Sequence, residues 1–363
     1  MTNLKQKKVI IYPYSFEFTP ILRYYLQDLG YDEVVLVSPK SWSLTDKDAA
    51  SADGGIPINI VVNDTITAEH IHDRDTTIII PEFKNDLISN KVENVICNAL
   101  ENGLEVICLN EFNTTVIDNW KKYRKFKYYC EHEILDCDKN ISLEKKAITS
   151  IPIIGICGLV NNINKFDVQI MLNRFLSRKG IRISNITSKR FGKYLNYHTI
   201  PYKILIAEGD YEVKINIIKQ YIEEIINVEK PEVIIVELPG GIMPYDDYIT
   251  NNFGYLHSIF FNALSFDYIC LNIPFCTPSK AYINELKMIM RYRYNTPLDA
   301  VCMSNRSIDK NTISLFGYPD WNIFDFSYIE EKLEVLNKEI NIYNALNVLD
   351  VEKIGERIIE KLS

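Results

Sequence analysis

The chain has 363 residues and a formal net charge of −8, with 47% hydrophobic and 24% charged residues. These values are typical of a globular protein with enough apolar material for two domains. The acidic balance argues against a protein that binds nucleic acids in general.

The first half of the chain alternates predicted strands with predicted helices. This order predicts right-handed βαβ units around a parallel sheet, and therefore an N-terminal Rossmann-like α/β domain. Strands are predicted at Lys8–Tyr12, Glu33–Val37, Ile58–Val62, Thr76–Ile80 and Glu105–Leu109, and helices at Pro20–Leu29 and Asp86–Asn102. No glycine fingerprint follows the first strand, so we assign no dinucleotide site there.

Four polar residues follow strands of this domain, at the edge where open α/β sheets bind ligands. They are Ser15, Glu17, Glu82 and Glu111. We interpret them as solvated loop residues and helix caps, because their spacing indicates no particular chemistry.

A basic and aromatic run, Trp120–Tyr129, lies in a stretch that predicts one long helix over Thr114–Cys137. We favour an amphipathic face exposed to solvent, and the alternative is a docking face for an acidic segment of another protein. The polar residues that follow predict a linker at 139–150, between domains at 1–138 and 151–363.

The eight cysteines include no C-x-x-C pair, and most of them lie in apolar stretches. This pattern indicates free thiols in a reducing cytoplasm, without disulfides. Cys130, His132 and Cys137 have the chemistry of metal ligands, but no fourth ligand lies nearby, so we predict no metal centre there. We expect neither a signal peptide nor a membrane-spanning segment.

The second half begins with the most informative stretch, IPIIGICGLVNNINKFD. An apolar run over Ile151–Cys157 predicts a buried strand, a turn follows Gly158, and a helix is predicted to begin at Lys165. Strand, glycine turn, lysine and helix form the layout of a phosphate-binding loop. The candidate binding residues in this loop are Gly158, Asn161, Asn162, Asn164 and Lys165.

A second stretch, PEVIIVELPGGIMPY, contains another buried strand at Val233–Val236. Glu237 and the pair Gly240–Gly241 follow it directly, and the two glycines are further candidate cofactor-binding residues. A carboxylate at the end of the strand beside a phosphate loop can bind magnesium, so Glu237 is a candidate metal ligand. Asp210 is a second candidate. We assign no catalytic residue.

The remaining pattern again predicts alternating strands and helices, and so a P-loop-like α/β domain. Strands are predicted at Ile181–Ile186, Lys203–Ala207, Asp267–Ile273 and Asp299–Ser304, and helices at Tyr211–Val228, Pro278–Tyr292, Tyr328–Lys338 and Val351–Leu362. His198 and His257 fall in irregular stretches, and we interpret them as structural because no Ser/His/Asp order accompanies them.

The loop and the later strand resemble those of the dethiobiotin-synthetase-like branch of P-loop proteins, which read G-T-x-T-x-x-G-K-T and V-E-G-x-G-G. The corresponding stretches here are Gly158–Phe166 and Val236–Gly241. The resemblance places the family's loop lysine at Lys165 and its metal-binding glutamate at Glu237. It also places the metal-binding threonine at Phe166 and the last loop glycine at Asn164. These two departures weaken the expectation of magnesium binding and catalysis, but the anion-binding layout is kept.

Over its whole length the chain resembles the clostridial peptide maturation system proteins, which are encoded beside radical SAM maturases in bacteriocin-type gene clusters. The resembling stretches are Val9–Tyr25, Asn164–Phe175 and Glu237–Gly254. The resemblance implies a cytoplasmic role in making a modified peptide, with a precursor peptide, a radical SAM maturase or both as partners.

Three functions stay open at this point. The first is an accessory protein of peptide maturation with a remodelled nucleotide-binding loop. The second is an active ATP-dependent ligase or kinase that acts on a carboxylate. The third is a structural homodimer that binds no nucleotide. The cofactor is accordingly ATP or GTP with Mg²⁺, or none, and we expect no nucleic-acid or membrane partner.

Overall fold

A computed structural model describes residues 7–26, 28–67, 75–83, 86–130, 151–206, 209–309 and 320–362. The chain divides into two compact units, residues 1–131 with 193–196, and residues 132–192 with 197–363. The predicted linker at 139–150 lies outside the described residues, as do His132 and Cys137.

The first unit contains a six-stranded parallel sheet. Its strands are β1 (Lys8–Ile11), β2 (Glu33–Val37), β3 (Val62–Asn63), β4 (Thr76–Ile80), β5 (Glu105–Cys108) and β6 (Phe126–Tyr128), and its helices are α1 (Thr19–Tyr25), α2 (Asp86–Glu101) and α3 (Thr114–Trp120). The order β3-β2-β1-β4-β5-β6 confirms the predicted Rossmann-like α/β architecture. Short 3₁₀ turns lie at Lys40–Trp42 and Ala49–Ala52.

The single long helix predicted over Thr114–Cys137 is wrong. The helix ends at Trp120, and Phe126 pairs with Val106 of β5 to add an edge strand. The rings of Trp120 and Phe126 lie 5.6 Å apart and are both buried. This packing needs a turn between the two residues. The chain therefore leaves the helix at Trp120, although the sequence pattern alone would continue it.

The second unit contains a seven-stranded parallel sheet and a separate hairpin. The sheet strands are β7 (Ile153–Gly158), β8 (Ile183–Thr187), β9 (His198–Thr199), β10 (Val233–Glu237), β11 (Tyr268–Ile273), β12 (Ala300–Met303) and β15 (Tyr343–Asn344), and the antiparallel hairpin is β13 (Arg306–Asp309) with β14 (Asp320–Ile323). The order β15-β12-β11-β7-β10-β8-β9 places β7 between β11 and β10. The P-loop-like α/β prediction is confirmed.

Helices alternate with these strands. They are α4 (Lys165–Arg178), α5 (Tyr202–Leu205), α6 (Tyr211–Glu229), α7 (Tyr255–Ala263), α8 (Lys280–Tyr294), α9 (Phe326–Leu336) and α10 (Val348–Leu362), with a 3₁₀ turn at Asn251–Gly254. Another 3₁₀ turn, Gly192–Leu195, falls mostly within residues 193–196, which belong to the first unit. The predicted strand at Lys203–Ala207 is wrong over its described part, because α5 occupies Tyr202–Leu205, and Ala207 lies outside the described residues. The edge position beside β8 is taken instead by β9. Ile204 is buried, and its backbone N–H donates to Pro201 O within a helical turn.

The core of the second unit surrounds β7, whose residues are all buried. Apolar side chains of α4 cover the sheet, as its i, i+3, i+4 pattern predicts. Parallel strands end at one edge of a sheet, so the ends of β7, β8 and β10 meet at the same edge. No helix in the described part of the chain is both long enough and apolar enough to cross a membrane.

Candidate functional site

The loop between β7 and α4 contains two residues in the left-handed conformation that glycine usually adopts, and both are asparagine. Asn162 and Asn164 both have a positive φ of 57°, and Asn164 is the residue before the first helical residue, Lys165. Asparagine tolerates this left-handed region better than most residues. Asn164 therefore supplies the conformation that a glycine supplies in the standard loop.

Side chains from three distant positions fix this loop. Asn272 at β11 donates to Ile163 O (2.8 Å), Arg306 donates to Asn162 O (3.1 Å), and the Ser304 hydroxyl donates to Oδ1 of Asn164. Arg306 is only 7% exposed, so its guanidinium lies within the loop region and not in solvent. The loop is thus held from the β11–β12 side of the sheet.

The loop offers N–H groups to an anion. Within the residues that the structure describes, the backbone N–H groups of residues 160–164 have no hydrogen-bond acceptor. They lie at the N-terminus of α4, where the helix dipole favours negative charge. Gly158 is required here, because a Cβ at this position would lie 2.6 Å from Val160 O.

Lys165 connects the loop to the end of β10. Its Nζ lies 3.3 Å from Oε1 of Glu237, and it donates to Gly240 O (3.1 Å) and to Leu238 O. Its side chain is 6% exposed. The charged amine of Lys165 is therefore buried, and the five residues with unbonded N–H groups directly precede this lysine in the chain.

Glu237 is the last residue of β10, directly beside β7 in the sheet. Its Oε2 accepts from Ser188 N (2.8 Å) and from the Thr187 hydroxyl (3.4 Å) at the end of β8. The carboxylate thus lies between the loop lysine and the end of the neighbouring strand. Magnesium prefers hard oxygen ligands, and this position offers two of them, a carboxylate oxygen and a hydroxyl. Two ligands are few for an ion that prefers octahedral coordination.

The other predicted metal features are not assembled around Glu237. Phe166 is buried, with its ring edge against Phe191 at 5.8 Å, so a core side chain occupies the position of the usual threonine. Asp210 is exposed and caps α6 by accepting from Glu212 N (2.8 Å). In the described part of the chain, no three His, Cys, Asp or Glu side chains cluster as metal ligands.

The glycine pair after β10 allows close packing on the loop between β7 and α4. Gly240 has a φ of +77°, and a Cβ on Gly241 would lie 2.5 Å from Leu159 O. Asn251 lies against Gly241 and donates to Leu159 O (3.0 Å) and Met243 O (2.7 Å). The segment after β10 is therefore fastened to the start of the loop between β7 and α4.

An open cleft of about 480 Å³ lies beside the loop. We call it the side cleft, and its lining includes Asn161, Ser188, Arg190, Gly240, Gly241 and Asn251. It lies on the β8–β10 side of the loop. Asn161, which is exposed, belongs to this cleft.

Sequence reasoning missed Arg190, Asn251, Asn272, Ser304 and Arg306 as parts of the site. Asn272 and Ser304 do stand at the ends of buried strands, and that position is the signal that could have identified them. Arg306 and Asn251 carry no local signal, because they reach the loop only through tertiary packing.

His198 and His257, which both belong to the second unit, differ in their surroundings. His198 contacts Glu229 at 2.8 Å. His257 on α7 is fully buried, and neither ring nitrogen has a hydrogen-bond partner among the described residues. Burial lowers the pKa of His257 well below its usual value, and the charges of Lys165 and Arg293 lower it further.

The polar residues predicted as solvated in the first unit include two buried ones. Ser15 and Glu17 are 8% and 6% exposed, so the solvated interpretation is wrong for them, whereas Glu111 is exposed. Cys130 is buried, and burial raises the pKa of its thiol. No ligand-binding geometry emerges from these residues.

The comparisons with known proteins define the fold class. The chain is similar to the crystal structure of a DUF1611 family protein from Anabaena variabilis, with a TM-score of 0.62 and 10% identity over 98% of this chain and 100% of that chain. Chloroplast FtsY from Physcomitrella patens matches 61% of this chain and 74% of that chain at 12% identity, with a TM-score of 0.26. No protein-family model and no curated protein matches. The first similarity shows a shared α/β fold.

Proposed function

We propose that the second unit binds the phosphate chain of a nucleotide, ATP or GTP, in the loop between Gly158 and Lys165. The observation that carries this proposal is the row of unbonded N–H groups at residues 160–164, next to the buried amine of Lys165. A helix N-terminus contributes roughly half a positive charge, and the lysine adds a full one. A phosphate group supplies the oxygen acceptors and the negative charge that this arrangement favours.

Magnesium has a smaller part in this proposal than in a standard P-loop. Phe166 offers no oxygen, so Glu237 and the Thr187 hydroxyl are the nearby groups that would bind the ion. A site with fewer protein ligands leaves more of the magnesium shell to water and phosphate. Metal should therefore improve nucleotide affinity only modestly.

We propose further that this nucleotide-binding protein is an accessory protein of ribosomal peptide maturation. The support is the resemblance of Val9–Tyr25, Asn164–Phe175 and Glu237–Gly254 to the clostridial peptide maturation system proteins. Its partners would be a precursor peptide, a radical SAM maturase or both. Binding of a synthetic precursor peptide of a clostridial peptide maturation system, measured with and without ATP, tests that role.

A second candidate is an ATP-dependent ligase or kinase acting on a carboxylate. The contact between Lys165 and Glu237 favours it, because a lysine at the start of the helix after the loop and a carboxylate at the end of the adjacent strand are parts of phosphoryl-transfer sites. The side cleft provides room for an acceptor next to the loop.

Calorimetric titration with ATP and GTP, with and without Mg²⁺, tests the nucleotide proposal, and phosphate release then separates the candidates. Binding without phosphate release supports the accessory role. Binding with release that depends on Glu237 supports the enzyme. If neither nucleotide binds at millimolar concentration, the loop does not function as a nucleotide site.

A further inference from the structure

We infer that the purine base of the bound nucleotide stacks on three aromatic side chains near the end of β11. We call them the aromatic cluster, and they are Phe275, Phe324 and Tyr328. This inference rests on the proposed nucleotide site, since it assigns the place of the base once the phosphates lie in the loop.

The groups that suit the terminal phosphates lie on the β10 side of the loop. In phosphate loops the lysine binds the β- and γ-phosphates, and a metal held by a carboxylate bridges the same two groups. Here Nζ of Lys165 lies 3.3 Å from Oε1 of Glu237 at the end of β10. The terminal phosphates would therefore lie towards β10. The nucleoside would leave the loop on the opposite side of β7, where β11 is the neighbouring strand.

The aromatic cluster lies on this β11 side, at the edge of the sheet where the loop begins. Phe275 follows the end of β11, and its backbone N–H donates to Arg306 O (2.7 Å). The guanidinium of Arg306 donates in turn to Asn162 O in the loop (3.1 Å). The backbone N–H of Phe324 donates to the neighbouring Asn305 O (2.9 Å). One short chain segment therefore connects the cluster to the loop that would hold the phosphates.

The three rings of the cluster support one another. The ring centroids of Phe275 and Phe324 lie 4.6 Å apart, and the Tyr328 centroid lies 5.7 Å from the first and 5.6 Å from the second. Phe275 and Phe324 pack against the core of the second unit, whereas Tyr328 is 39% exposed. The outermost ring is therefore held by packing and is accessible to a ligand, so a base that stacks on it has little protein to order.

One charged side chain already contacts the exposed ring. Nζ of Lys332 lies 5.1 Å from the centroid of Tyr328, and the lysine side chain is 43% exposed. A cation–π contact at an exposed site is weaker than the stacking of a base on the same ring, so a base can displace the ammonium group. Stacking uses the π face that every base has. The cluster should therefore accept both adenine and guanine.

The test compares ATP with inorganic tripolyphosphate, which has the phosphate chain but no base. Both are titrated by calorimetry onto the full chain and onto Tyr328→Ala. The substitution should weaken ATP binding by about five- to a hundredfold, which is the usual effect of losing a ring on which a base stacks. It should leave tripolyphosphate binding unchanged. Tyr328→Phe keeps the ring and should bind ATP as the wild type does.

Tyr292→Ala is the matched control. Tyr292 is also an exposed tyrosine on a helix of the second unit (84% exposed), but it lies in the last turn of α8, which precedes β12. This variant should bind ATP like the wild type. Unchanged ATP affinity in Tyr328→Ala, or an equal loss of ATP and tripolyphosphate affinity, would overturn the inference. If Tyr328→Ala does not fold, Tyr328→Leu decides, because it keeps an apolar side chain without the ring.

Adenosine, which has the base without phosphates, distinguishes the failure of this inference from the failure of the proposed function. Saturation-transfer NMR at millimolar adenosine should show contact to the base protons in the wild type and not in Tyr328→Ala. Such contact without tripolyphosphate binding supports the base site and removes the phosphate site. Tripolyphosphate binding together with equal ATP affinity in the wild type and Tyr328→Ala leaves the phosphate site standing and removes the base site.

Discussion

Nζ of Lys165 lies 3.3 Å from Oε1 of Glu237, and the two side chains are 6% and 3% exposed. The contact joins the first residue of α4 to the last residue of β10. Removing one partner of a buried ion pair leaves the other charge uncompensated, which destabilises a protein more than loss of an exposed pair. Both residues therefore couple the loop between β7 and α4 to the rest of the sheet.

The left-handed conformation of Asn164 predicts a specific order of stability. Asn164→Gly and Asn164→Ala both lose the hydrogen bond from Ser304, but only alanine is strained at a φ of 57°. The glycine variant should be more stable by about 1 kcal/mol in urea unfolding. At Asn161, which lies outside the left-handed region, the same pair should not favour glycine. Equal stability of the two Asn164 variants would show that the turn does not impose this conformation.

Glu237→Gln should remove the effect of magnesium on ATP affinity. The substitution removes the negative charge that would bind the metal, so affinity without metal should be unchanged or slightly higher. Glu229→Gln is the matched control, because Glu229 bonds to Ser184 and His198 away from the loop. ATP titrations with and without Mg²⁺ provide the measurement. A magnesium effect that persists in Glu237→Gln would place the metal elsewhere.

Because His257 is buried, we expect the folded protein to lose stability at mildly acidic pH. Its folded-state pKa lies well below the usual 6.5, so the unfolded chain binds the proton first as the pH falls. The contribution is therefore absent above about pH 6.5 and becomes unfavourable below it, by up to about 1.4 kcal/mol per pH unit.

His257→Leu isolates this contribution. Subtracting its urea unfolding free energies from those of the wild type between pH 7.5 and pH 5 removes the other titrating groups. The wild type should lose more stability than the variant as the pH falls. At pH 7.5 the variant should be no less stable, because two unbonded buried nitrogens are removed. Parallel losses in the two proteins would contradict the lowered pKa.

The sequence predicted those parts of the fold that depend on local patterns. The start of α4 at Lys165 follows from the glycine turn and the apolar stripe after it, and β2 and β4 were predicted at their observed bounds. The end of β10 at Glu237 follows from a continuous β-branched run. In each case the nearest neighbours along the chain carry the information.

The sequence could not predict features that depend on contacts between distant positions. Arg306 reaches Asn162 across the sheet, and no spacing rule connects these residues. Asp48 binds the N–H groups of Ile58 and Asn59, which shifts the predicted third strand to Val62–Asn63. The side cleft likewise exists only where separate segments of the chain meet.

Calorimetric titration of ATP onto Lys165→Ala tests whether a nucleotide phosphate binds beside Lys165. Lys214→Ala is the matched control, because Lys214 is also buried in the second unit and also donates to a backbone carbonyl, that of Ile206. Loss of the charged donor at Lys165 should weaken ATP binding by about ten- to a hundredfold, corresponding to roughly 1.5–3 kcal/mol. Lys214→Ala should lower the melting temperature but leave ATP affinity unchanged. If the wild type binds ATP and Lys165→Ala binds it equally well, the phosphate does not lie in this loop.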